Sequence, residues 1–577
     1  MEIKAILEQL YGKEIAGRYS ERIEEKATKL LNYESIKSRP AFSEKDSILI
    51  TYADMVGTQN GTTPLATLTS FIREYAEDII DTVHILPFFP YSSDDGFSVT
   101  DYRSVKPEYG SWKDIELIGK HFNLAFDAVF NHVSVESKWF QGFLNENKKY
   151  QEWFESPDDS FDASKVFRPR ALPLFHEYDN CRGEKRRVWT TFSEDQVDLN
   201  YHSPELLLEM IDIFLLYLAK GARIIRLDAI AFIWKESGTS CLHLPQAHLL
   251  VKLFRKIADK VAPGTVILTE TNVPHKDNIS YFGKNSDEAQ MVYQFPLPPL
   301  TAHALLRQDA AALTKWAGSL KEPPAGCTFL NFLASHDGIG VRPLSGLVPA
   351  DELEFLADEA LRKEGKVGCK NNPDGSRSPY ELNINYFSLI REPGEDMEYS
   401  VRKFMLTQAV MLTMPGIPGI YFHSLFGSKN WTEGVTLLGH NRAINREKLD
   451  LQRLENTLNA PFTRRDLIYG EYHSLLNLRR HCRAFHPKSG FKVLKLPSSK
   501  VFAILRGTAE GYKPLLGIFN FSNDYEIINL AKVKELPCEL RELQGGPAIN
   551  KSHFELKPYQ FMWLTCAHQT ALKKTGG

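Results

Sequence analysis

Three carboxylates stand where strand-like apolar runs end: Asp228 after Ile225-Arg226-Leu227, Glu270 after Val266-Ile267-Leu268-Thr269, and Asp337 after Phe332-Leu333-Ala334-Ser335-His336. Retaining glycosyl transfer needs two carboxyl groups about 5 to 5.5 Å apart, one to attack the anomeric carbon and one to protonate the leaving oxygen. Separate strands can supply that pair, whereas neighbours on one strand cannot, because successive side chains point to opposite faces. On this expectation Asp228 is the nucleophile and Glu270 the acid/base. Asp337 grips sugar hydroxyls and favours the distorted, cationic transition state. Arg226 lies two residues before Asp228 on the same face and keeps it ionised, while burial near other carboxylates raises the pKa of Glu270. Neutral His132, after Asp127-Ala128-Val129-Phe130-Asn131, and His336 suit hydrogen bonds to sugar hydroxyls. Each residue alone has a structural explanation, as a cap, an ion pair or a core histidine; the joint pattern points to chemistry.

Residues delivered by the ends of several strands call for a sheet whose ends converge. Eight runs read as strands, at 48–53, 82–86, 125–130, 222–227, 265–269, 292–295, 328–333 and 416–421, and amphipathic helices separate them. That alternation predicts an α/β fold, a (β/α)8 TIM barrel, with its chemistry at the carboxyl ends of the strands. One unit reads in detail: Ser203 as N-cap, Pro204 at the first helical position, an apolar helix to Lys220, Gly221 as its stop, then the strand that delivers Asp228.

The chain has 577 residues, too many for one ordinary core. Residues 1–45 read as a helical extension outside the barrel, and 46–490 as the barrel itself. A small inserted domain is expected at about 133–200 after the third strand, and a long loop at about 338–400 after the seventh. An all-β domain and a tail make up 491–577.

A net charge of −3 provides no basic footprint for nucleic acid or an anionic membrane. The first residues are amphipathic rather than signal-like, and no apolar run reaches transmembrane length, so a cytoplasmic location is expected. Seven cysteines without CxxC spacing argue against a zinc site or a disulfide framework, and predict reduced thiols. No acidic loop of the calcium type is visible, and no cofactor or metal is expected.

The stretches Asp127-Ala128-Val129-Phe130-Asn131-His132 and Arg226-Leu227-Asp228-Ala229, Glu270 after its strand, and His336-Asp337 resemble the four sequence regions of the α-amylase family, glycoside hydrolase family 13. Gln196-Val197-Asp198-Leu199-Asn200 resembles its additional region. Leu49-Ile50-Thr51-Tyr52-Ala53-Asp54, His84-Ile85-Leu86-Pro87-Phe88-Phe89, Lys235-Glu236-Ser237-Gly238-Thr239-Ser240-Cys241 and Asp337-Gly338-Ile339-Gly340 are similar to its sucrose phosphorylase branch. That resemblance implies phosphorolysis, in which phosphate replaces water in attacking a glucosyl-enzyme ester and α-glucose 1-phosphate leaves. It also implies that Asp94 and Arg446 close a one-glucosyl pocket as a salt-linked wall, that Phe97 and Phe232 pack on the ring, and that Gln196 belongs to the pocket. Asn131 falls where some amylases hold calcium, which the sucrose phosphorylase branch does without.

Sucrose phosphorylases carry a pattern like Leu-Asp-Leu-Tyr-Gln beside the acceptor. Here the stretch reads Arg377-Ser378-Pro379-Tyr380-Glu381, so Ser378 and Glu381 stand at the Asp and Gln positions. Together with Lys370-Asn371-Asn372-Pro373-Asp374-Gly375, Thr271-Asn272-Val273-Pro274-His275-Lys276-Asp277-Asn278 and Arg168-Pro169-Arg170-Ala171-Leu172-Pro173, it is similar to the glucosylglycerate phosphorylases. The implied partners are small molecules: a glucosyl disaccharide, inorganic phosphate and glycerate, with a homodimer left open. Arg168, Arg170, Lys370, Arg377, Tyr380 and Glu381 become acceptor-site candidates, because guanidinium forks suit phosphate and carboxylate alike. Sucrose or glucosylglycerol phosphorylase is the nearest alternative. A hydrolase leaves the anion-handling arginines without use, and a noncatalytic amylase-like binding protein typically lacks the carboxylate set.

Overall fold

The computed structural model describes residues 2–31, 42–58, 61–371, 376–536 and 539–566. Eight parallel strands close into a barrel: β1 (Ile48–Thr51), β2 (Thr82–Ile85), β3 (Asn123–Ala128), β4 (Ala222–Leu227), β5 (Val266–Thr269), β6 (Met291–Tyr293), β7 (Thr328–Asn331) and β8 (Ile417–Tyr421). Each pairs with its sequence neighbours, and β8 closes on β1 with Ile48 opposite Gly419. β1, β2, β4, β5, β6, β7 and β8 are buried throughout. Parallel strands covered on both faces read as continuous apolar runs, which is why all eight are visible in the sequence.

The helix before β4 spans Pro204–Ala219 and has proline in its first turn. Ser203 precedes it in extended backbone, but its hydroxyl makes no capping bond, so the proline marks the start better than the expected cap. Two N-terminal helices, Ile3–Tyr11 and Lys13–Leu31, lie against the barrel's outer helices. Tyr11 donates to the Tyr201 carbonyl at 2.7 Å, and Lys26 pairs with Asp212 at 2.6 Å.

After β3 the chain makes an excursion in which His132–Ser134 pairs antiparallel with Gln196–Asp198, and a hairpin joins Phe175–Asp179 to Lys185–Trp189. The stretch at 338–400, expected as a loop, carries a helix, Asp351–Arg362, and an antiparallel sheet in which Arg377–Asn383 lies between Ile339–Gly340 and Lys366–Asn371. Polar residues on Lys366–Asn371 break the apolar run by which a barrel strand is recognised.

Beyond 490, Phe491–Val493, Val501–Arg506, Leu515–Asn520, Leu540–Glu542 and Phe561–Cys566 form an antiparallel sheet with a core around Ala503, Leu516 and Leu564. Trp563 donates to Thr413 at 2.8 Å and Arg506 to the Thr413 carbonyl at 2.8 Å, which fastens this sheet to the helix before β8. Cys566 is disulfide-bonded, against the expectation of reduced thiols throughout. The expected tail falls largely outside the described residues. Among the described residues no helix is long and apolar enough to cross a membrane.

Candidate active site

Arg226 on β4 organises the carboxyl ends of the strands. Its Nη1 donates to Asp127 of β3 at 2.5 Å and to Asp228 at 2.7 Å, and its Nε donates to the Tyr293 hydroxyl of β6 at 3.1 Å. Asp127 is fully buried and also meets His84 of β2 at 2.7 Å. Burial pushes the Asp127 carboxyl up, but Arg226 and His84 outweigh it and hold the group at about 2.

Glu270 leaves β5 beside this cluster, with Oε2 3.9 Å from Arg226 Nη2. The same oxygen accepts the Ala229 N–H at 3.0 Å. Ala229 takes a left-handed backbone, φ 50°, a conformation a side chain adopts at some strain. Burial, reinforced by Asp228 and Asp337, raises Glu270 to about 7. Burial also raises Asp228, and Arg226 opposes it without cancelling it. Contact at 2.7 Å against 3.9 Å places Asp228 closer to the cation than Glu270, which favours charge on Asp228 and a proton on Glu270.

Asp337 follows β7. Burial opposes its charge, but Arg442 at 2.6 Å, then His336 and Arg226, hold it well below the usual carboxylate range. The His336 ring stacks on Phe97 with centroids 4.7 Å apart, and burial lowers it to about 3, so it is neutral as expected. Its Nδ1 is buried without a hydrogen-bond partner. His132 Nε2 meets the Phe97 carbonyl at 3.0 Å, and Gln196 donates to the same oxygen at 3.3 Å. Both therefore hold the Phe97 backbone.

Arg446 is 1% exposed and pairs with Asp94 at 3.1 Å and Asp95 at 2.8 Å, while its Nε donates to the His336 carbonyl at 2.9 Å. Asp94 lines the cavity and Arg446 stands behind it. Asp95 shares the guanidinium and was not anticipated.

These groups surround a cavity of about 520 Å³, lined by Asp94, Phe97, His132, Gln196, Arg226, Asp228, Phe232, Glu270, His336 and Asp337. Arg170, Leu172, Asn272, Tyr380, Glu381 and Arg442 form more of its wall. Three acceptor candidates do not reach it. Arg168 turns back onto the Leu172 carbonyl of its own loop. Lys370 lies opposite Ser378 and Arg377 opposite Asn371, at the far end of a hairpin whose cavity end carries Gly368, Tyr380 and Glu381. Arg377 is exposed there.

Arg442 was missed. It lies four residues before Arg446 in the turn Asn441–Asn445 and grips Glu381 with two bonds, Nε to Oε1 at 3.0 Å and Nη2 to Oε2 at 2.7 Å. The repeated asparagine-arginine in Asn441-Arg442 and Asn445-Arg446 was the available signal.

Asn131 does not face an open cation position. Its Oδ1 accepts from the buried Lys235 ammonium at 3.0 Å, and the same ammonium pairs with Asp198 at 2.6 Å. Among the described residues no group of three His, Cys, Asp or Glu side chains is arranged to hold a metal ion.

The model of the α-amylase catalytic domain matches residues 59–339. Glucosylglycerate phosphorylase of Escherichia coli K12 is 44% identical over 98% of this chain and 99% of its own length. The chain belongs to the α-amylase family. A second relative in that family, glucosylglycerate phosphorylase of Spirochaeta thermophila, is 49% identical over 92% of each chain. The crystal structure of sucrose 6F-phosphate phosphorylase from Thermoanaerobacter thermosaccharolyticum has the same fold, with a TM-score of 0.71, 24% identity, and coverage of 83% of this chain and 94% of that one. The likeness to that structure is one of fold.

Proposed function

We propose that this chain is a retaining glycoside phosphorylase interconverting 2-O-α-D-glucosyl-D-glycerate and phosphate with α-D-glucose 1-phosphate and D-glycerate. The observation that carries the reading is the 44–49% identity to glucosylglycerate phosphorylases over nearly the whole chain. The geometry supports it through a paired nucleophile and acid beside an anion-binding wall.

In the first displacement Asp228 attacks C1 while Glu270 protonates the departing glycerate oxygen, leaving a β-glucosyl ester on Asp228. In the second, a phosphate oxygen attacks C1 from the face glycerate left and its proton passes to Glu270, so two inversions restore the α configuration. Asp337 and neutral His336 hold sugar hydroxyls, and the Asp94–Arg446 wall limits the pocket to one glucosyl unit. Arg170 is the cavity arginine least committed to the protein, 3.9 Å from Glu381, and receives phosphate in one half-reaction and the glycerate carboxylate in the other. This reading places the reaction on small anions in the cytoplasm, with no nucleic-acid or membrane partner.

The test is to incubate the protein with α-glucose 1-phosphate and glycerate, glycerol or fructose and identify the disaccharide formed. Glucosylglycerate as the main product supports the proposal. A sucrose or glucosylglycerol product, or hydrolysis of glucose 1-phosphate to free glucose with no disaccharide formed, rejects it.

A further inference from the structure

A line of alternating charges runs from the sugar pocket to the acceptor wall: Asp337, Arg442, Glu381, Arg170. Asp337 Oδ1 lies 2.6 Å from Arg442, Arg442 holds both oxygens of Glu381, and Arg170 stops 3.9 Å short of Glu381. Four parts of the chain meet here: the turn after β7, the turn at Asn441–Asn445, the antiparallel sheet and the excursion after β3.

Glu381 is 3% exposed, and the backbone beside Asp337 is built against it. A Cβ at Gly338 would stand 2.6 Å from Glu381 Cγ, so this glycine lets the turn carrying Asp337 lie on the Glu381 side chain. On the other side, a Cβ at Gly340 would meet Asn272 Nδ2 at 2.6 Å. Neither glycine has a positive φ, so close approach is the reason for both.

Three arginines line this cavity. Arg226 is bound by Asp127, Asp228 and Tyr293, and Arg442 by Asp337 and Glu381; Arg170 makes one loose pairing and keeps 31% of its side chain exposed. A buried guanidinium with an unmatched charge takes up any anion within reach. Without the Glu381 carboxylate, Arg442 would keep Asp337 as its one directly contacting carboxylate, and the two donors now on Glu381 would be free beside the reacting sugar.

We infer that Glu381 is a positioning residue, a built-in counter-anion that keeps Arg442 from capturing the substrate anion and leaves Arg170 to receive it. The inference rests on the phosphorylase reading and changes the expected role of Glu381, which orders the acceptor wall through two arginines and does not itself bind the acceptor. It also makes Arg442 the link by which the acceptor wall fixes Asp337.

The test compares the intact enzyme with Glu381→Gln and Glu381→Asp. The Gln variant keeps the shape and removes the charge, so phosphate binds more tightly but in the wrong place. The KM for phosphate is expected to fall about fivefold, the size of a modest ion-pair competition, while kcat falls about tenfold or more. The Asp variant keeps the charge on a shorter arm and should lie between the two in both constants; it decides the matter if the Gln variant does not fold. A side chain that merely supports the wall, or that binds phosphate itself, would raise the KM or leave it unchanged on losing its charge, and either result overturns the inference. Calorimetric titration with inorganic phosphate reads the same step without turnover and should give a Kd about fivefold lower for the Gln variant; an equal or higher Kd overturns it. Absence of phosphate-dependent turnover in the unaltered protein would reject the phosphorylase reading, and the titration would still decide the role of Glu381.

Discussion

Arg226 on β4 donates across 2.7 Å to Asp228, which directly follows that strand. Glu270 lies 3.9 Å from the same guanidinium and takes an amide N–H instead. The cation therefore favours charge on Asp228 over charge on Glu270, the division that the proposed mechanism uses. Asp228→Asn and Glu270→Gln are each expected to lower phosphate-dependent release of glucose 1-phosphate by about 10³-fold or more. A donor that needs no proton, α-glucosyl fluoride, separates them: the Gln variant should still form a glucosyl adduct detectable by mass, and the Asn variant should not. An adduct on the Asn variant would move the nucleophile elsewhere.

The raised pKa of Glu270 sets a pH dependence with a definite sign. In the proposed mechanism the group is protonated when it releases glycerate, so kcat/KM for the disaccharide should fall as pH rises through about 7. Its folded pKa lies above the ordinary 4.5, so its contribution to stability is complete below 4.5 and is lost as pH rises through about 7. In Glu270→Gln, denaturant titrations between those values should lose this slope. An unchanged slope would assign the titration to another group.

Legibility followed the type of physical signal. The barrel strands could be read because burial on both faces demands unbroken apolar runs, as in Ile224-Ile225 and Val266-Ile267-Leu268, and their ends shifted by a residue or two where the ladder gives way to loops. Asp228, Glu270 and Asp337 could be read because each directly follows such a run or sits a few residues beyond it. Arg442 could not be assigned a role, because its partner Glu381 lies 61 positions away and nothing local ties the two together. Lys370 and Arg377 were placed by sequence neighbourhood with Tyr380 and Glu381, but a hairpin has two ends and only one meets the cavity.

Arg446 is buried behind Asp94, which lines the cavity, and this makes it a stability element. Arg446→Ala takes from Asp94 and Asp95 the guanidinium that both contact directly. Loss of one partner of a buried pair costs about 3–5 kcal/mol, and the partial exposure of the two aspartates reduces this to about 2–4 kcal/mol. Urea denaturation should show the loss as a lower midpoint with an unchanged slope. Arg446→Lys should recover part of it, because an ammonium keeps the charge but cannot match the guanidinium's three bonds. Equal stability of the Ala variant and the unaltered protein would contradict the ion-pair geometry.

Lys235 holds the junction between the barrel and the excursion after β3. Its ammonium sits between Asn131 and Asp198, and Asp198 also accepts the Thr191 N–H at 2.8 Å and hydroxyl at 2.6 Å. Lys235→Met leaves the Asp198 charge buried, with an expected loss of about 3–5 kcal/mol. Adding Asp198→Asn removes that stranded charge, so the double variant should be more stable than Lys235→Met alone. Since the ammonium supplies the positive charge at this position, a chelator such as EDTA should leave the Tm of the unaltered protein where it was. A Tm lowered by EDTA, or a double variant weaker than the single, would show that something other than Lys235 neutralises Asp198.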